Sequence, residues 1–570
     1  MLSFFPKDYP LYEGVHFENL RDVVEIPARL HPDKIALSWK ENPREEEVER
    51  MSYGDLRDLI RILGTGMRAR GMAGEHVALL GETSVEWISS YLALFGIGAV
   101  VVPLDLELTA EEIKELIKHS ESRFVLFGDK VSDKVEKIQE ELPEVEAWFS
   151  MGKKQDKKGW QELVLGGQKL WKDGDHSFLE YEIDTKACAC IVFTSGTTGK
   201  GKGVMLSQEN LASNMVNAMP LFQVSEKTVL LLPLHHTYGA TVNLIGHLVQ
   251  GCEIFLCSGL RYMMKEIQAE KPGHLILVPV FLEKIHSQIM KKFEKTGKAS
   301  IYKGIMRFTR RVLHLGVDVR EKLFGEIKEA LGGKLDMIIC GGAALRQDII
   351  DDFEAFGITI MNGYGVTECS PLISCNRNEY RKPGSVGRPI LDLEVKIDCE
   401  PGQSEGEICV RGSNVMLGYW NNPEASAEVL DEEGYFHTGD IGYLDEEGWI
   451  YISGRKKNLI LFSNGKNVYP EELEAKIAQL PGVGEVMVYA GKSRTQQDKE
   501  IIVAEIFPDQ EALDQLGVAE AQAFLEEQVH LLNEELSVWK RIGMIKIRHE
   551  EFPKNSSRKI KRYAVERWIA

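Results

Sequence analysis

Long apolar runs are missing from this chain of 570 residues. None reaches the roughly 18 to 20 residues that a transmembrane helix needs, and residues 1–7 lack the charged start and apolar stretch of a signal peptide. The nine cysteines include no C-x-x-C pair, and no histidine cluster has metal-ligand spacing, so the sequence does not indicate a structural zinc site. We therefore expect a soluble, cytoplasmic protein with reduced cysteines.

Positive charge is also scarce. The formal net charge of -19 argues against broad binding of nucleic acid or of an anionic membrane, since both need a basic surface. The exception is the segment 540–567, which carries ten basic residues against three acidic ones. This segment is interpreted either as a solvated face or as a docking surface for a polyanionic substrate.

The length exceeds what one hydrophobic core usually organises, so two or more domains are expected. In the first half, helical spacing of apolar residues alternates with short buried runs, the pattern of parallel or mixed sheets covered by helices. Between residues 384 and 451, short strands and glycine-containing turns predict a β subdomain, with one strand at 434–435. The predicted fold class is α/β, with a large N-terminal domain at 1–453 and a small α+β C-terminal domain at 454–570. Other strands are predicted at 76–80, 99–104, 124–127, 189–193, 204–206, 228–232, 253–257, 275–278, 337–340, 393–397, 406–411 and 448–452, and helices at 53–71, 85–95 and 469–480.

A loop of glycines, hydroxyls and lysines follows the strand predicted at 189–193. Residues 194–203 read T-S-G-T-T-G-K-G-K-G, and such a loop can turn backbone N–H groups, hydroxyls and ammonium groups toward an anion. It contains G-x-x-x-x-G-K, but a P-loop would then need Ser or Thr followed by a helix. Gly203 and the apolar run 204–206 take those places. A phosphate-binding loop of another kind is predicted, with a merely flexible turn as the alternative.

Five further segments complete a set of six motifs. Together they resemble the AMP-forming acyl and aryl acid–CoA ligase superfamily over roughly residues 53–562. Two departures stand out: Gly201 replaces the usual proline, which is expected to loosen the loop, and Arg558 replaces the usual glycine. The other segments are L-P-L-H-H-T-Y-G at 232–239, N-G-Y-G-V-T-E at 362–368, Y-F-H-T-G-D at 435–440, G-R-K-K at 454–457 and P-K-N-S-S-R-K-I at 553–560.

The resemblance implies a reaction and a role for each motif. A carboxylate attacks the α-phosphate of ATP to give acyl-AMP, and a thiol then takes the acyl group. Lys559 would stabilise the first transition state, with Lys554 and Lys561 as competing assignments. Glu368, beside Thr367, would hold Mg²⁺, and His236 would gate the acyl tunnel. Nucleotide binding would fall to Thr194, Ser195, Gly196, Thr197, Thr198, Gly199, Lys202, Gly341, Gly342, Ala343, Asn362, Tyr364, Asp440 and Arg455.

The resemblance also implies that the small C-terminal domain is mobile. After adenylation it would rotate about Lys457, withdraw the catalytic lysine and bring Gly465 toward the pantetheine arm of coenzyme A. Structural alternatives remain for several of these residues: a surface ion pair for Asp440 and Arg455, core filling for Tyr364, a core histidine for His236 and a solvated lysine for Lys457.

The acid and the thiol are the least determined features. A helix-like insert at 281–335 resembles the bacterial long-chain fatty acid–CoA ligases, so a medium- or long-chain fatty acid is expected. Coenzyme A is the expected acceptor; acyl carrier protein is the alternative, although an acidic carrier would be repelled except at the basic tail. A non-catalytic nucleotide-binding relative is the alternative from a different functional class. The insert's basic residues are interpreted as a solvated face or as a peripheral membrane contact: Lys303, Arg307, Arg310, Arg311, Arg320 and Lys322.

Overall fold

The chain divides into two compact units. The computed structural model describes residues 11–152, 159–194, 201–295, 304–306, 308–309, 318–378, 380–461, 467–492, 500–554 and 559–565. The first unit contains residues up to 194, 202–394 and 410–436, and the second contains mainly 395–409 and the residues from 437 onward. The predicted domain boundary between residues 453 and 454 falls within a strand of the second unit, Ile450–Arg455. Which part of the chain moves stays a prediction.

The largest sheet of the first unit has seven strands. Most run parallel, and at one end three strands pair antiparallel. The central strands are buried on both faces, which explains why their sequences are continuously apolar. In order across the sheet, the strands are Gly418–Tyr419, Lys202–Ser207, Cys188–Thr194, Val100–Leu104, His76–Leu80, Phe124–Phe127 and Ala147–Ser150.

Two further sheets belong to the first unit. In the five-stranded sheet, His274–Leu277, Met337–Cys340 and Thr359–Gly365 run parallel. Their carboxyl ends therefore meet at one edge. Leu372–Cys375 and Arg388–Pro389 continue this sheet in antiparallel fashion. The four-stranded sheet has the order Glu49–Ser52, Ile35–Trp39, Glu253–Leu256 and Lys227–Leu230.

The second unit contains three smaller sheets. A hydrophobic cluster that includes Leu473, Val488, Ala504 and Leu525 packs helices against the last of them. The sheets are Glu394–Asp398, Gly406–Arg411, Phe436–Leu444 and Ile450–Arg455; Ile460–Leu461 and Asn467–Val468; and Val483–Lys492, Glu500–Pro508 and Ile542–Ile547.

Helices cover these sheets and begin where side chains can cap them. Ser52, Ser84, Thr109 and Ser207 each accept a backbone N–H from the first turn of the helix that follows. None of the helices in the described part of the chain has the length and apolar character that a membrane span requires. The longer helices are Asp22–Leu30, Tyr53–Ala69, Val85–Gly96, Ala110–His119, Trp160–Lys172, Gln208–Ala218, the π-helix Tyr238–Ile245, Met263–Glu270, Pro279–Lys295, Arg320–Ala330, Gln347–Ala355, Pro470–Ile477 and Ala521–Glu535. The shorter ones are Ser132–Ile138, Ser177–Glu180, Gly246–Val249, Pro423–Ala427 and Gln510–Gln515.

The α/β class is confirmed, and one predicted strand is wrong. Residues 434–435 do not form a strand, because Gly434 has a φ of 81° and the Tyr435 N–H donates to the Asp431 carboxylate in a turn. The strand begins one residue later and runs over Phe436–Leu444. The glycine marked the turn before the strand, and the alternation of buried residues starts only after it.

Two fully buried histidines form a hydrogen-bonded chain in the first unit. His247 Nδ1 lies 2.9 Å from the Asn243 carbonyl oxygen, which can only accept, so this nitrogen carries the proton. In a neutral ring Nε2 then accepts, and His274 Nε2 donates to it at 2.5 Å. His274 Nδ1 in turn accepts from the Ser225 N–H at 3.2 Å. Burial lowers the pKa of His247 to about 4 and that of His274 well below its ordinary value. Both rings are therefore neutral in the folded protein.

This pair predicts acid destabilisation. Below about pH 6.5 the unfolded chain protonates these histidines while the folded protein does not. The free energy of unfolding therefore decreases as the pH is lowered. For His247 alone the loss approaches about 3 kcal/mol near its folded pKa. Between about pH 7.5 and about pH 5, urea unfolding should show about 2 kcal/mol of this loss. His247→Gln should reduce the difference, whereas His31→Gln, at an exposed histidine, should leave it unchanged. Equal pH sensitivity of wild type and His247→Gln would contradict the assignment.

Candidate functional site

The predicted phosphate loop connects two antiparallel strands. Cys188–Thr194 leads into it, Lys202–Ser207 follows it, and Thr194 pairs with Lys202 across the ladder. Thr194 Oγ1 donates to the Lys202 carbonyl oxygen at 3.4 Å. The chain thus continues as a strand and not as a helix, as the sequence predicted when it argued against a P-loop. Ser195, Gly196, Thr197, Thr198 and Gly199 lie outside the described residues.

A tyrosine links the loop to the predicted metal ligand. The Tyr419 hydroxyl donates to Glu368 Oε1 at 2.9 Å, and Lys202 Nζ lies 4.6 Å from the centroid of the Tyr419 ring. Burial, followed by the charge of Glu368, raises the pKa of Tyr419 well above its ordinary value, so the hydroxyl stays a donor. The three side chains make successive contacts: an ammonium group with an aromatic ring, and the hydroxyl on that ring with a carboxylate.

Glu368 is held by its backbone as well. Residues Thr367–Cys369 form one turn of 3₁₀-helix, and Ser370 ends it in the left-handed region with a φ of 69°. The Glu368 carbonyl oxygen accepts the Met416 N–H at 2.8 Å. This contact ties the turn to the chain segment that leads into Tyr419.

The predicted adenine-binding residues meet at the carboxyl ends of parallel strands. Gly341 and Gly342 follow Met337–Cys340, and Asn362 and Tyr364 lie on the neighbouring strand, Thr359–Gly365. A side chain at Gly341 would come within 3.2 Å of the Gly363 carbonyl oxygen, so glycine leaves the backbone bare there. Tyr364 itself is 7% exposed. The structure brings together these glycines and Tyr364, and Ala343 follows them in sequence.

The segment 232–239 connects the edges of two sheets. The Tyr238 hydroxyl lies 3.3 Å from the Ile339 carbonyl oxygen and 3.5 Å from that of Leu277, both near the ends of parallel strands. His235 Nε2 lies 3.5 Å from a carboxylate oxygen of Asp105, just beyond strand Val100–Leu104. Burial lowers the pKa of His235, and Asp105 opposes that shift. The His236 ring lies 4.2 Å from the His235 ring, measured between centroids, and a π-helix follows, a feature frequent at functional sites.

In the second unit, Asp440 and Arg455 face each other on paired strands. Arg455 Nε lies 2.7 Å from Asp440 Oδ1, and an Arg455 Nη1–H donates to the Thr438 carbonyl oxygen at 3.3 Å. Asp440 is only 3% exposed. The pair is therefore an ion pair, but its carboxylate is buried, unlike that of an ordinary surface pair.

Lys559 lies within electrostatic range of this pair. Loss of hydration, followed by repulsion from Arg455, lowers the pKa of Lys559; attraction by Asp440 opposes the shift and repulsion from Lys457 adds to it. The Lys559 residue nevertheless has exposed surface, which suits an ammonium group that meets a ligand. Lys559 is thus within electrostatic range of three other predicted residues of the second unit: Asp440, Arg455 and Lys457.

Backbone contacts join the described residues on either side of the lysine motif. Lys554 forms a β-bridge with Ile560, and the Lys561 N–H donates to the Pro553 carbonyl oxygen at 2.7 Å. Arg562 makes an ion pair with Glu474 and donates to the Val488 carbonyl oxygen at 3.2 Å. The competing candidate Lys554 is engaged by Glu485 and by Glu551. Gly465, predicted to contact pantetheine, lies outside the described residues.

Residues 24–420 match a family described as AMP-binding enzyme. The chain belongs to the AMP-binding enzyme family. It is 28% identical to an indoleacetate–CoA ligase of Aromatoleum aromaticum, over 86% of this chain and 88% of that protein. It is 28% identical to long-chain-fatty-acid–CoA ligase 5 of Rattus norvegicus, over 81% and 71%. It is 27% identical to a chloroplastic long-chain-fatty-acid–[acyl-carrier-protein] ligase of Arabidopsis thaliana, over 91% and 80%.

A solved member of similar fold is ATP-bound MatB from Rhodopseudomonas palustris. It has a TM-score of 0.73 and 25% identity, and the match covers 95% of this chain and 97% of that one. The recognition of the superfamily from its motifs is therefore confirmed. The residue roles carried over with it stay predictions.

Sequence reasoning missed Tyr419 in this AMP-binding enzyme. It lies 51 residues from Glu368 along the chain, in a segment, L-G-Y-W, that looks like ordinary strand sequence. The sequence shows a glycine directly before it, Gly418, but the φ of 137° that makes this glycine special is known only from the structure.

In the insert predicted at 281–335, the structure has the helices Pro279–Lys295 and Arg320–Ala330. Arg320 is paired with Asp318, and Lys303, Arg307, Arg310 and Arg311 lie outside the described residues.

Proposed function

We propose that this AMP-binding enzyme activates a carboxylic acid with ATP, as acyl-AMP, and then transfers the acyl group to the thiol of coenzyme A. The observation that carries the proposal is the Asp440–Arg455 ion pair in the second unit, with Lys559 within electrostatic range of it. A carboxylate that attacks a phosphate builds negative charge between two anions, and fixed cations lower that barrier. A buried carboxylate such as Asp440 can accept hydrogen bonds from ribose hydroxyls.

The first unit would bind the phosphates and the base. The loop that begins at Thr194 and ends at Lys202 would cradle the terminal phosphates, and Tyr364 would lie against adenine, with Gly341, Gly342 and Ala343 as the opposite wall. Glu368 suits Mg²⁺, which prefers carboxylate oxygens and water. Tyr419 engages Glu368 Oε1, and we assign Oε2 to the cation. When bound, Mg²⁺ would neutralise phosphate charge.

Motion of the C-terminal part would separate the two half-reactions. Lys457 lies in the short 3₁₀-helix Lys456–Asn458, directly after strand Ile450–Arg455. A rotation there would move Lys559 while leaving the seven-stranded sheet unchanged. We assign the hinge to Lys457 and a pantetheine contact to Gly465.

A medium- or long-chain fatty acid is the proposed substrate. The support is the helical insert and the fatty-acid ligases among the relatives. The indoleacetate ligase among them makes an aryl acid the competing possibility. His236, beside the π-helix, would separate the acid from the nucleotide. Acyl carrier protein is the second candidate acceptor, favoured by one relative's name.

The proposed reaction is tested by ATP-dependent pyrophosphate release across acids from acetate to palmitate and several aryl acids. Release is expected to peak with a long acid and to turn over repeatedly only with coenzyme A. Release that an acyl carrier protein accelerates, but coenzyme A does not, would move the assignment to the carrier-protein reaction. Absence of release with every acid and either thiol would overturn the ligase proposal in favour of a non-catalytic nucleotide-binding protein.

Lys559 and Lys457 should separate the two half-reactions. Lys559→Ala removes the cation near the reacting phosphate, so acyl-AMP formation should fall by about a thousandfold while thioester formation from supplied acyl-AMP is largely spared. Lys457→Pro should leave acyl-AMP formation intact and slow thioester formation, because proline restricts the hinge. Lys561→Ala is the matched control, with both half-reactions near wild type. Equal loss of both halves in Lys559→Ala would remove its assigned role.

Tyr419→Phe should raise the Mg²⁺ requirement. The variant keeps the ring next to Lys202 but removes the hydroxyl that orients Glu368. The Mg²⁺ concentration that gives half-maximal rate should rise by about tenfold, with a smaller change in kcat at saturating Mg²⁺. Tyr443→Phe, at a tyrosine that is 37% exposed, is the control. An unchanged Mg²⁺ dependence in Tyr419→Phe would show that the hydroxyl does not position the metal ligand.

A further inference from the structure

Three adjacent strands of the second unit direct donor side chains to one place. Cys409 and Glu407 are two residues apart on strand Gly406–Arg411, so they share a face of the sheet. His437 reaches them from the neighbouring strand, Phe436–Leu444, and Asp398 from the strand on the other side, Glu394–Asp398. The donor atoms of Asp398, Cys409 and His437 all lie within 4.8 Å of one another.

The distance between the Cys409 and His437 donor atoms suits a tetrahedral metal ion. The Cys409 Sγ lies 3.3 Å from His437 Nδ1, and two ligands at about 2.3 and 2.0 Å from one zinc ion would stand roughly 3.5 Å apart. His437 Nδ1 also lies 3.4 Å from Glu407 Oε2. Cys409 is fully buried, whereas Asp398 is exposed and the His437 side chain is 25% exposed. One side of the cluster is therefore fixed by packing, and the other is open to an arriving ion.

The cluster already attracts a cation from the chain itself. Lys456 Nζ lies 2.7 Å from Glu407 Oε2. The hydrogen bond to Glu407 raises the pKa of Lys456, and burial opposes that shift. The Lys456 side chain is 62% exposed, so it can leave without disturbing the core. An ammonium group thus lies on Glu407, next to the three donor side chains.

We propose that Asp398, Cys409 and His437 form a binding site for Zn²⁺, with Glu407 beside it and Lys456 as the cation that the metal displaces. A thiolate, an imidazole and a carboxylate are the donors that zinc prefers. On binding, the Cys409 thiol releases its proton to solvent and coordinates as the thiolate. Metal binding at this site does not depend on any step of the ligase reaction. The two are related only by position in the chain, because Lys456 lies between Arg455 and Lys457.

The test is a titration of the full chain with Co²⁺ as a spectroscopic probe, followed by displacement with Zn²⁺, in the absence of ATP and Mg²⁺. Wild type should bind one equivalent and show the near-ultraviolet charge-transfer absorption of a cobalt–thiolate bond. Cys409→Ser should lose that absorption, and His437→Ala should bind at least about tenfold more weakly. Lys456→Ala should bind more tightly than wild type.

The matched control is Cys399→Ser. Cys399 is exposed and lies next to Asp398 in sequence, so it is the thiol that would bind metal adventitiously. This variant should bind cobalt as wild type does. Urea unfolding without metal checks that each variant is folded. If Cys409→Ser does not fold, His437→Ala still tests the site, because its side chain is only partly buried. Unchanged binding in Cys409→Ser and His437→Ala, or failure of wild type to bind one equivalent, would overturn the proposal.

Discussion

The direction of the parallel strands is the constraint on which the candidate site of the first unit depends. Parallel strands deliver their carboxyl ends to one edge of a sheet, and the chain uses two such edges. Asp105 and the loop after Thr194 follow neighbouring strands of the seven-stranded sheet. Gly341 and Tyr364 lie at the matching edge of the five-stranded sheet. Residues 235–238 contact both edges, His235 through Asp105 and Tyr238 through strand-end carbonyl oxygens. No single motif could assemble these groups by sequence proximity.

In the second unit, pairing between neighbouring strands brings candidate residues together. Asp440 and Arg455 are direct partners in an antiparallel ladder, so the register of one hairpin fixes their distance. Lys559 reaches the same region by another route, since Arg562 is held by the partly buried Glu474. Burial raises the pKa of Glu474, which attraction by Arg562 opposes. Both side chains are partly shielded from solvent, so the loss of either partner would leave the other charge poorly compensated. Arg562 therefore anchors the segment.

Most strands and helices could be predicted from the sequence because the spacing of apolar residues along the chain indicates them. Strands His76–Leu80 and Gly406–Arg411 have the bounds expected from continuous or alternating apolar residues. The error at residues 434–435 arose because a glycine in a turn resembles the start of a strand until its φ is known. The motifs located the chemistry, but three relations were invisible in the sequence: the Tyr419 contact to Glu368, the linkage of His235 to Asp105, and the meeting of Asp398, Cys409 and His437. Each joins residues whose proximity is created by strand order, which spacing along the chain does not encode.

The pairing of the strands on either side of the predicted phosphate loop has an evolutionary consequence. Because Thr194 and Lys202 are paired on the ladder, the ends of the loop are fixed by the sheet and not by the loop's own residues. Replacement of a residue inside the loop, such as the glycine at position 201, leaves those ends where they are. A change in loop length would instead alter the reach of the loop while the sheet stayed intact. The sheet should therefore tolerate substitutions at loop positions with no assigned ligand contact, such as residue 201, and a change in loop length should be resisted.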